Sequence, residues 1–409
     1  MSKTAFGLLW CFVFVIPWEE VVRLPLLGSM PRLVGVVAFG VGALHIVARR
    51  TVRPLAWFHI FAVLFVLWAG ASAFWSIDAG ATRVRSMTYL QLVLMVWLIW
   101  EVAWSTQRRR ALLQAYVLGA CGAAVATIYN YLSGVSLDAA AERFTALNAN
   151  PNELGLTLVL GLPMAWYLSL SQPGRRVAWS WQLYLPLGVT GLLLTASRGA
   201  FLAALAALVI IPWTLGPLHL RTKTALYALA IGSLILATAF VPGPALERIG
   251  STRAEIADGQ FGGRGAIWKS GLQLVQEHPL AGVGAGAFKA AVEPMLHHRW
   301  SSHETFLSIL VEEGIIGLLL FLAMVGAVMN LPPDLPTLER RLSIVLLAVL
   351  AVGSLSAAWD YQKQLWFVLG MLAAQLADRA TPRASSRVIV AGTPGRMSRN
   401  VPTGEVGAC

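Results

Sequence analysis

The sequence predicts an all-α polytopic membrane protein of about twelve transmembrane helices, with one large, partly helical loop outside the cytoplasm between spans nine and ten. Three observations carry that expectation. The chain of 409 residues is 57% hydrophobic and only 12% charged, with a mean hydropathy of +0.67, whereas soluble domains carry about a quarter charged residues. Apolar runs of spanning length recur from end to end. A spanning helix needs about 20 mostly apolar residues, because hydrocarbon offers no water to backbone N–H and C=O groups. Lysine and arginine, finally, gather in alternate connections between those runs.

The apolar runs centre near Phe12, Phe39, Leu64, Leu94, Leu118, Leu160, Leu187, Leu205, Ile231, Leu320, Leu347 and Leu369. The first reads as a span and not as a cleaved leader, because no small-residue cleavage site precedes the Glu19, Glu20 pair. With the N-terminus inside, cytoplasmic connections hold Arg49, Arg50 and Arg53, then Arg108, Arg109 and Arg110, then Arg175 and Arg176, Arg221 and Lys223, and Arg340 and Arg341. The short outer connections hold only scattered cations: Arg23, Arg32, Arg83, Arg85, Arg143, Arg198 and Lys363. That bias places both termini in the cytoplasm. The net charge of +11 is thus a topology signal; the expected contacts are membrane lipids, and nucleic acid is not an expected partner. Cys11, Cys121 and Cys409 form neither a disulfide framework nor a CxxC metal pattern.

One connection breaks the short-loop rule. Residues 242–303 lie outside and mix glycine, proline and charge with an apolar stripe of Trp268, Leu272 and Val275, Leu274 alongside, which predicts an amphipathic helix within the loop. The membrane domain covers 1–380, loop included. Residues 381–409 are polar and basic without apolar periodicity, and read as a disordered cytoplasmic tail.

Three outer motifs carry candidate chemistry. In Thr195-Ala196-Ser197-Arg198-Gly199, Ser197 is placed to cap the next helix and Arg198 stands in its first turn. A cation there opposes the helix dipole, and a bound anion resolves the conflict: free N–H groups and a guanidinium make a phosphate site. The alternative is an interfacial arginine reaching for headgroups. In Gly262-Gly263-Arg264-Gly265-Ala266-Ile267-Trp268 a helix again starts at a cation, so two arginines facing one compartment suggest a pyrophosphate; an exposed arginine on an interfacial helix is the alternative. In Ser301-Ser302-His303-Glu304, the Ser301 and Glu304 spacing is a capping box that places His303 in the first helical turn. The positive helix end and nearby arginines keep such an imidazole neutral and able to accept a proton. A hydrogen-bonded interface histidine is the other reading.

Other motifs read as scaffolding. Gly282-Val283-Gly284-Ala285-Gly286 follows no strand and is a glycine-rich turn, not a phosphate loop. Asn150, Pro151 and Glu153 punctuate the start of the sixth span, and the asparagines there also stand where a sugar can be met. His297 and His298 lie near His303 without the spacing or carboxylates of a zinc site, so a metal-independent reaction is expected. His45 and His59 read as structural.

Four stretches in this order resemble the O-antigen ligase superfamily of bacterial envelope glycosyltransferases: NANPNELG at 148–155, TASRGAFLA at 195–203, GRGAIWKSGLQLVQEHPLAGVGAGAF at 263–288 and SHETFLSILVEEGIIGLLLF at 302–321. The resemblance implies a multi-pass inner-membrane enzyme with a periplasmic active site. It implies inverting transfer of a glycan from undecaprenyl pyrophosphate to lipid A core oligosaccharide, in lipopolysaccharide synthesis, with no cofactor, neither metal nor nucleotide sugar. Its motifs would make His303 the general base and put Arg198 and Arg264 on the pyrophosphate; Ser197, Trp268, Asn150 and Glu304 in the same stretches are further candidates for substrate contact. Relatives that polymerise lipid-linked repeats or glycosylate protein share these motifs, so those activities are the alternative. A lipid-linked glycan transporter is the non-enzymatic one, although such proteins place their ionisable groups at membrane mid-depth.

Overall fold

The computed structural model describes residues 2–19, 23–24, 28–136, 143–146, 149–171, 174–215 and 263–376, with isolated positions between 220 and 250. The expected span near Ile231, the first part of the outer loop and the 381–409 tail lie outside the described residues.

Among the described residues the fold is helical, apart from a short antiparallel ladder pairing Arg23–Leu24 with Gly28–Ser29. The helices are α1 (Ser2–Val15), α2 (Met30–Arg49), α3 (Trp57–Ala71), α4 (Ala79–Val102), α5 (Thr106–Leu132), α6 (Pro151–Ser171), α7 (Arg175–Gln182), α8 (Tyr184–Leu194), α9 (Arg198–Leu208) and α10 (Ile210–Leu215). After the outer loop begins they are α11 (Gly265–Glu277), α12 (Phe288–Leu296), α13 (Thr305–Met329), α14 (Thr337–Ser354) and α15 (Lys363–Leu376). Eleven of the twelve expected centres fall on these helices. Among the described residues six segments are long and apolar enough to cross a bilayer: Met30–Arg49, Trp57–Phe74, Thr106–Leu132, Pro151–Ser171, Val177–Leu194 and Thr305–Met329. The expected count of about twelve is therefore met only in part: α4 and α14 carry internal charges, α15 is short, and the segments Lys3–Trp18 and Arg198–Thr214 are apolar but shorter than a span.

Helix α6 is the hub. Nearly every residue from Leu154 to Ser169 is buried, against α5, α8, α9 and α14, as expected of a helix that is apolar all round. The connections sort into two ends. At one, Arg110 donates to the Tyr167 hydroxyl (2.9 Å) and to Glu339 (3.4 Å), and Arg53 lies over Trp100. At the other, Ile77 N–H donates to Val283 (3.1 Å), Phe144 N–H to Leu194 (3.0 Å) and Thr305 Oγ1 to Ala357 (2.7 Å), so the connections expected outside meet one another.

The outer loop packs onto α13. Ile267, Ser270, Gly271 and Leu274 form the buried face of α11, with Trp268 and Val275 on its edges, while Leu272 is 55% exposed. The expected stripe is therefore rotated: Leu272 faces outward, because Gly271 takes the contact with Leu307. A second loop helix, α12, contains Pro294 and was not expected from the sequence. Gly282, Gly284 and Gly286 all have positive φ, as a glycine-rich turn requires. The Val283 and Gly284 amides donate to the carbonyls of Val311 (2.9 Å) and Glu312 (2.8 Å), beside a break in α13 at Gly314 (φ 67, ψ −169).

That break tests the packing. An alanine at Gly314 would adopt a left-handed φ and drive its Cβ into the Leu280 carbonyl. Gly314→Ala is expected to cost about 2–3 kcal/mol, read as a lower melting temperature in detergent. Gly326→Ala meets open space within the same helix and is expected to be neutral or stabilising.

Candidate active site

The site grows from helix starts at the end of the fold where the connections expected outside meet. The Ser197 hydroxyl accepts from Ala200 N–H (3.4 Å), capping α9 and leaving Arg198 as its first residue, as the sequence predicts. The Asn150 side-chain oxygen accepts from Asn152 N–H (2.9 Å) and Glu153 N–H (3.5 Å), with Pro151 opening α6. Arg143 ties these two starts together: its Nε donates to the Thr195 carbonyl (3.0 Å) and its guanidinium to Asn152 Oδ1 (2.9 Å). In the sequence Arg143 is one more scattered outer arginine. No local signal marks it, because its partners come from an adjacent motif and from a helix end 52 residues away.

Arg264 stands at the N-cap of α11. Its guanidinium donates to the His303 carbonyl (3.3 Å) and to the Ser356 carbonyl (2.9 Å). Ser356 in turn fills the space beside Gly199, the residue after Arg198. One turn, 355–357, thus touches the starts of α9 and α11 and, through Ala357, the first residue of α13. Trp268 donates its indole N–H to the Ser302 carbonyl (3.0 Å). Arg264 and Trp268 therefore fasten the strap that carries His303.

His303 differs from its expected placement. Glu304, not Ser301, is the N-cap of α13: its carboxylate accepts from Phe306 N–H (3.0 Å) and from Leu307 N–H. The capping-box reading is overturned, and His303 lies just before the helix in a left-handed conformation (φ 52) instead of in its first turn. The Ser302 hydroxyl bonds Glu304, so a serine–glutamate pair does close the turn, one residue later than the spacing suggests. Both Glu304 carboxylate oxygens serve the helix start, which makes Glu304 a residue that sets the His303 turn. Burial pushes its carboxyl above the usual range despite those N–H donors.

The imidazole is held neutral. Burial, then Arg264, Lys289 and Arg143, lower the His303 pKa from 6.5 to about 4. Lys289, on α12, is a second residue that the sequence did not single out. Below the strap, Arg85 is locked between Asp360 (2.8 Å) and Glu312 (3.4 Å), with Tyr361 stacked on it (3.8 Å). Glu312 also accepts from Gly286 N–H (2.7 Å) and Phe288 N–H (3.3 Å), and Asp360 from the Tyr89 hydroxyl (2.6 Å). Removing one member of such a buried charge set leaves an uncompensated charge. It joins α4, the glycine turn, α13 and the turn before α15. His59 accepts from Ala56 N–H (3.3 Å) at the start of α3, a structural role.

The arrangement presents a neutral imidazole under the influence of Arg264, Lys289 and Arg143, with Arg198 and Arg264 at helix starts joined through the 355–357 turn. Such a field suits a substrate with a phosphorylated leaving group and an incoming hydroxyl. Comparison with curated proteins and with solved structures finds no match. The family model described as O-antigen ligase matches residues 183–322, which run from α8 into α13 and include Ser197, Arg198, Arg264, Trp268, His303 and Glu304. Over residues 183–322 the chain is thus similar to the O-antigen ligase family.

Proposed function

We propose that this protein is an O-antigen ligase, transferring a glycan from undecaprenyl pyrophosphate to lipid A core oligosaccharide at the periplasmic face of a bacterial inner membrane. The observation that supports this reading most is the Arg264 guanidinium on the His303 carbonyl, which couples a phosphate-binding group directly to a neutral base. Arg198 and Arg264 hold the pyrophosphate, with the N–H groups at the starts of α9 and α11. The acceptor hydroxyl approaches the anomeric carbon from the opposite face of the sugar. As its oxygen bonds to that carbon, the bond from carbon to phosphate oxygen breaks and the proton passes to His303. Undecaprenyl pyrophosphate leaves, and the anomeric configuration inverts. Cations from the chain balance the charge that develops on the leaving group, so metal and nucleotide sugar have no required part. Asn150 stands exposed beside the Arg143 link, where a sugar is met.

Incubation of purified protein with an undecaprenyl-pyrophosphate glycan, with and without lipid A core, tests the reading. A single-step mobility shift of lipid A core on a gel is the expected result. A ladder that grows without lipid A core would identify a polymerase instead, and no product in either case would remove the enzyme reading.

The pH dependence has a defined sign. With a pKa of about 4, His303 is neutral and competent at pH 7. Activity is fully present above that value and is lost only as pH falls through it. Replacing Lys289 by glutamine removes a cation that opposes protonation, so the acid limb of kcat/KM is expected to move to higher pH. An acid limb that stays fixed in that variant would contradict the assignment of His303 as the base.

A further inference from the structure

Beside this site lie two cavities that the transfer reading does not use. One, of about 450 Å³, is polar and runs from Arg32 and Arg85 past Lys289 to Ser301 and Ser302, the strap leading into His303. The other, of about 120 Å³, is an apolar groove among α1, α2 and α4, lined by Phe12, Val36, Phe39 and Leu98. Arg32 and Thr88 line both, so the groove and the polar cavity adjoin, with a guanidinium between them.

The charges of the polar cavity do not cancel evenly. Glu312 and Asp360 together overmatch Arg85 by one carboxylate, which offsets one further cation, and Glu19 is matched by Lys363. Arg32 and Lys289 have no carboxylate partner among the described residues. The cavity therefore favours an anion, and the groove favours a hydrocarbon chain. Lys289 also acts electrostatically on His303, and the cavity reaches Ser302, the residue before it.

We infer that the groove and cavity form the acceptor's site: an acyl chain lies against α2 and α4, a phosphorylated headgroup sits between Arg32 and Lys289, and its glycan extends along Ser301 and Ser302 to His303. This rests on the proposed transfer. The donor's clamp at Arg198 and Arg264 belongs to the α9, α11 and Ser356 side of the strap. An in-line displacement needs its second substrate from elsewhere, and a second lipid needs a groove of its own.

The test measures binding to full-length protein in detergent with no donor glycan present, so it is independent of turnover. The probes are lipid A, its dephosphorylated form, undecaprenyl phosphate and inorganic phosphate; the variants are Arg32→Gln, Lys289→Gln and Val36→Trp, with melting temperature as the folding control. Lipid A is expected to bind each variant about 10-fold more weakly than wild type. Dephosphorylated lipid A should bind wild type with a similar loss, and undecaprenyl phosphate should bind all proteins alike. Unchanged lipid A binding would overturn the inference. So would an equal loss of undecaprenyl phosphate, which would give the groove to the donor, or full displacement of lipid A by inorganic phosphate, which would leave a free-anion site. Failure of glycan transfer by the wild type would sink the transfer reading without altering these binding results.

Discussion

Replacing His303 by alanine is expected to lower glycan transfer by about 10²–10⁴-fold, the usual contribution of a positioned general base, with the fold intact. The structural role of this position lies in its backbone: the carbonyl accepts from Arg264, and the φ of 52 turns the strap into α13. Alanine keeps the carbonyl but tolerates a left-handed φ poorly, at a cost of about 1–2 kcal/mol. Asparagine adopts that conformation more readily and supplies no comparable base, so His303→Asn separates the two effects. Both variants should be inactive while the asparagine protein melts close to wild type. Substantial transfer by His303→Asn would mean that the imidazole is not the base.

Replacing Arg264 by lysine is expected to cost about 10²-fold in kcat, comparable to losing one preorganised donor to a developing anion. Lysine retains the charge and loses the planar fork. In this site one guanidinium nitrogen, Nη1, already reaches both the His303 and Ser356 carbonyls, so lysine would have to hold that bridge and a phosphate oxygen with its single nitrogen. Arg198→Lys should impair donor use with less effect on the pH profile, because Arg198 is not among the groups that depress the His303 pKa. An Arg264→Lys protein with wild-type kcat would show that the clamp is misassigned.

Much of the molecule was legible in the sequence because it is local. Bilayer-length apolar runs placed the helices, and the caps at Asn150 and Ser197, with the cation after Ser197, placed the starts of α6 and α9. The Gly282 to Gly286 turn was legible for the same reason: three glycines with positive φ follow from chemistry within a few residues. What the sequence hid is set by distant partners. The spacing of Ser301 and Glu304 satisfies a capping box, but Trp268 pulls on Ser302, Arg264 on His303 and Thr305 on Ala357. Those three contacts, from residues 34, 39 and 52 positions away, favour Glu304 as the cap. Arg143 and Lys289 join the site only once helices far apart in the chain pack, and Leu272 turns outward because Gly271 meets Leu307. Local motif reading finds helix starts and turns more readily than the distant cations that pack beside them.

The central claim is that a pyrophosphate lies between Arg198 and Arg264, next to a neutral His303. Cryo-electron microscopy of the full chain in lipid nanodiscs with undecaprenyl pyrophosphate tests it most directly. The predicted result is pyrophosphate density bridging the starts of α9 and α11, within hydrogen-bonding reach of both guanidinium groups. Pyrophosphate seated instead between Arg32 and Lys289, or away from both arginines at the helix starts, would contradict the account.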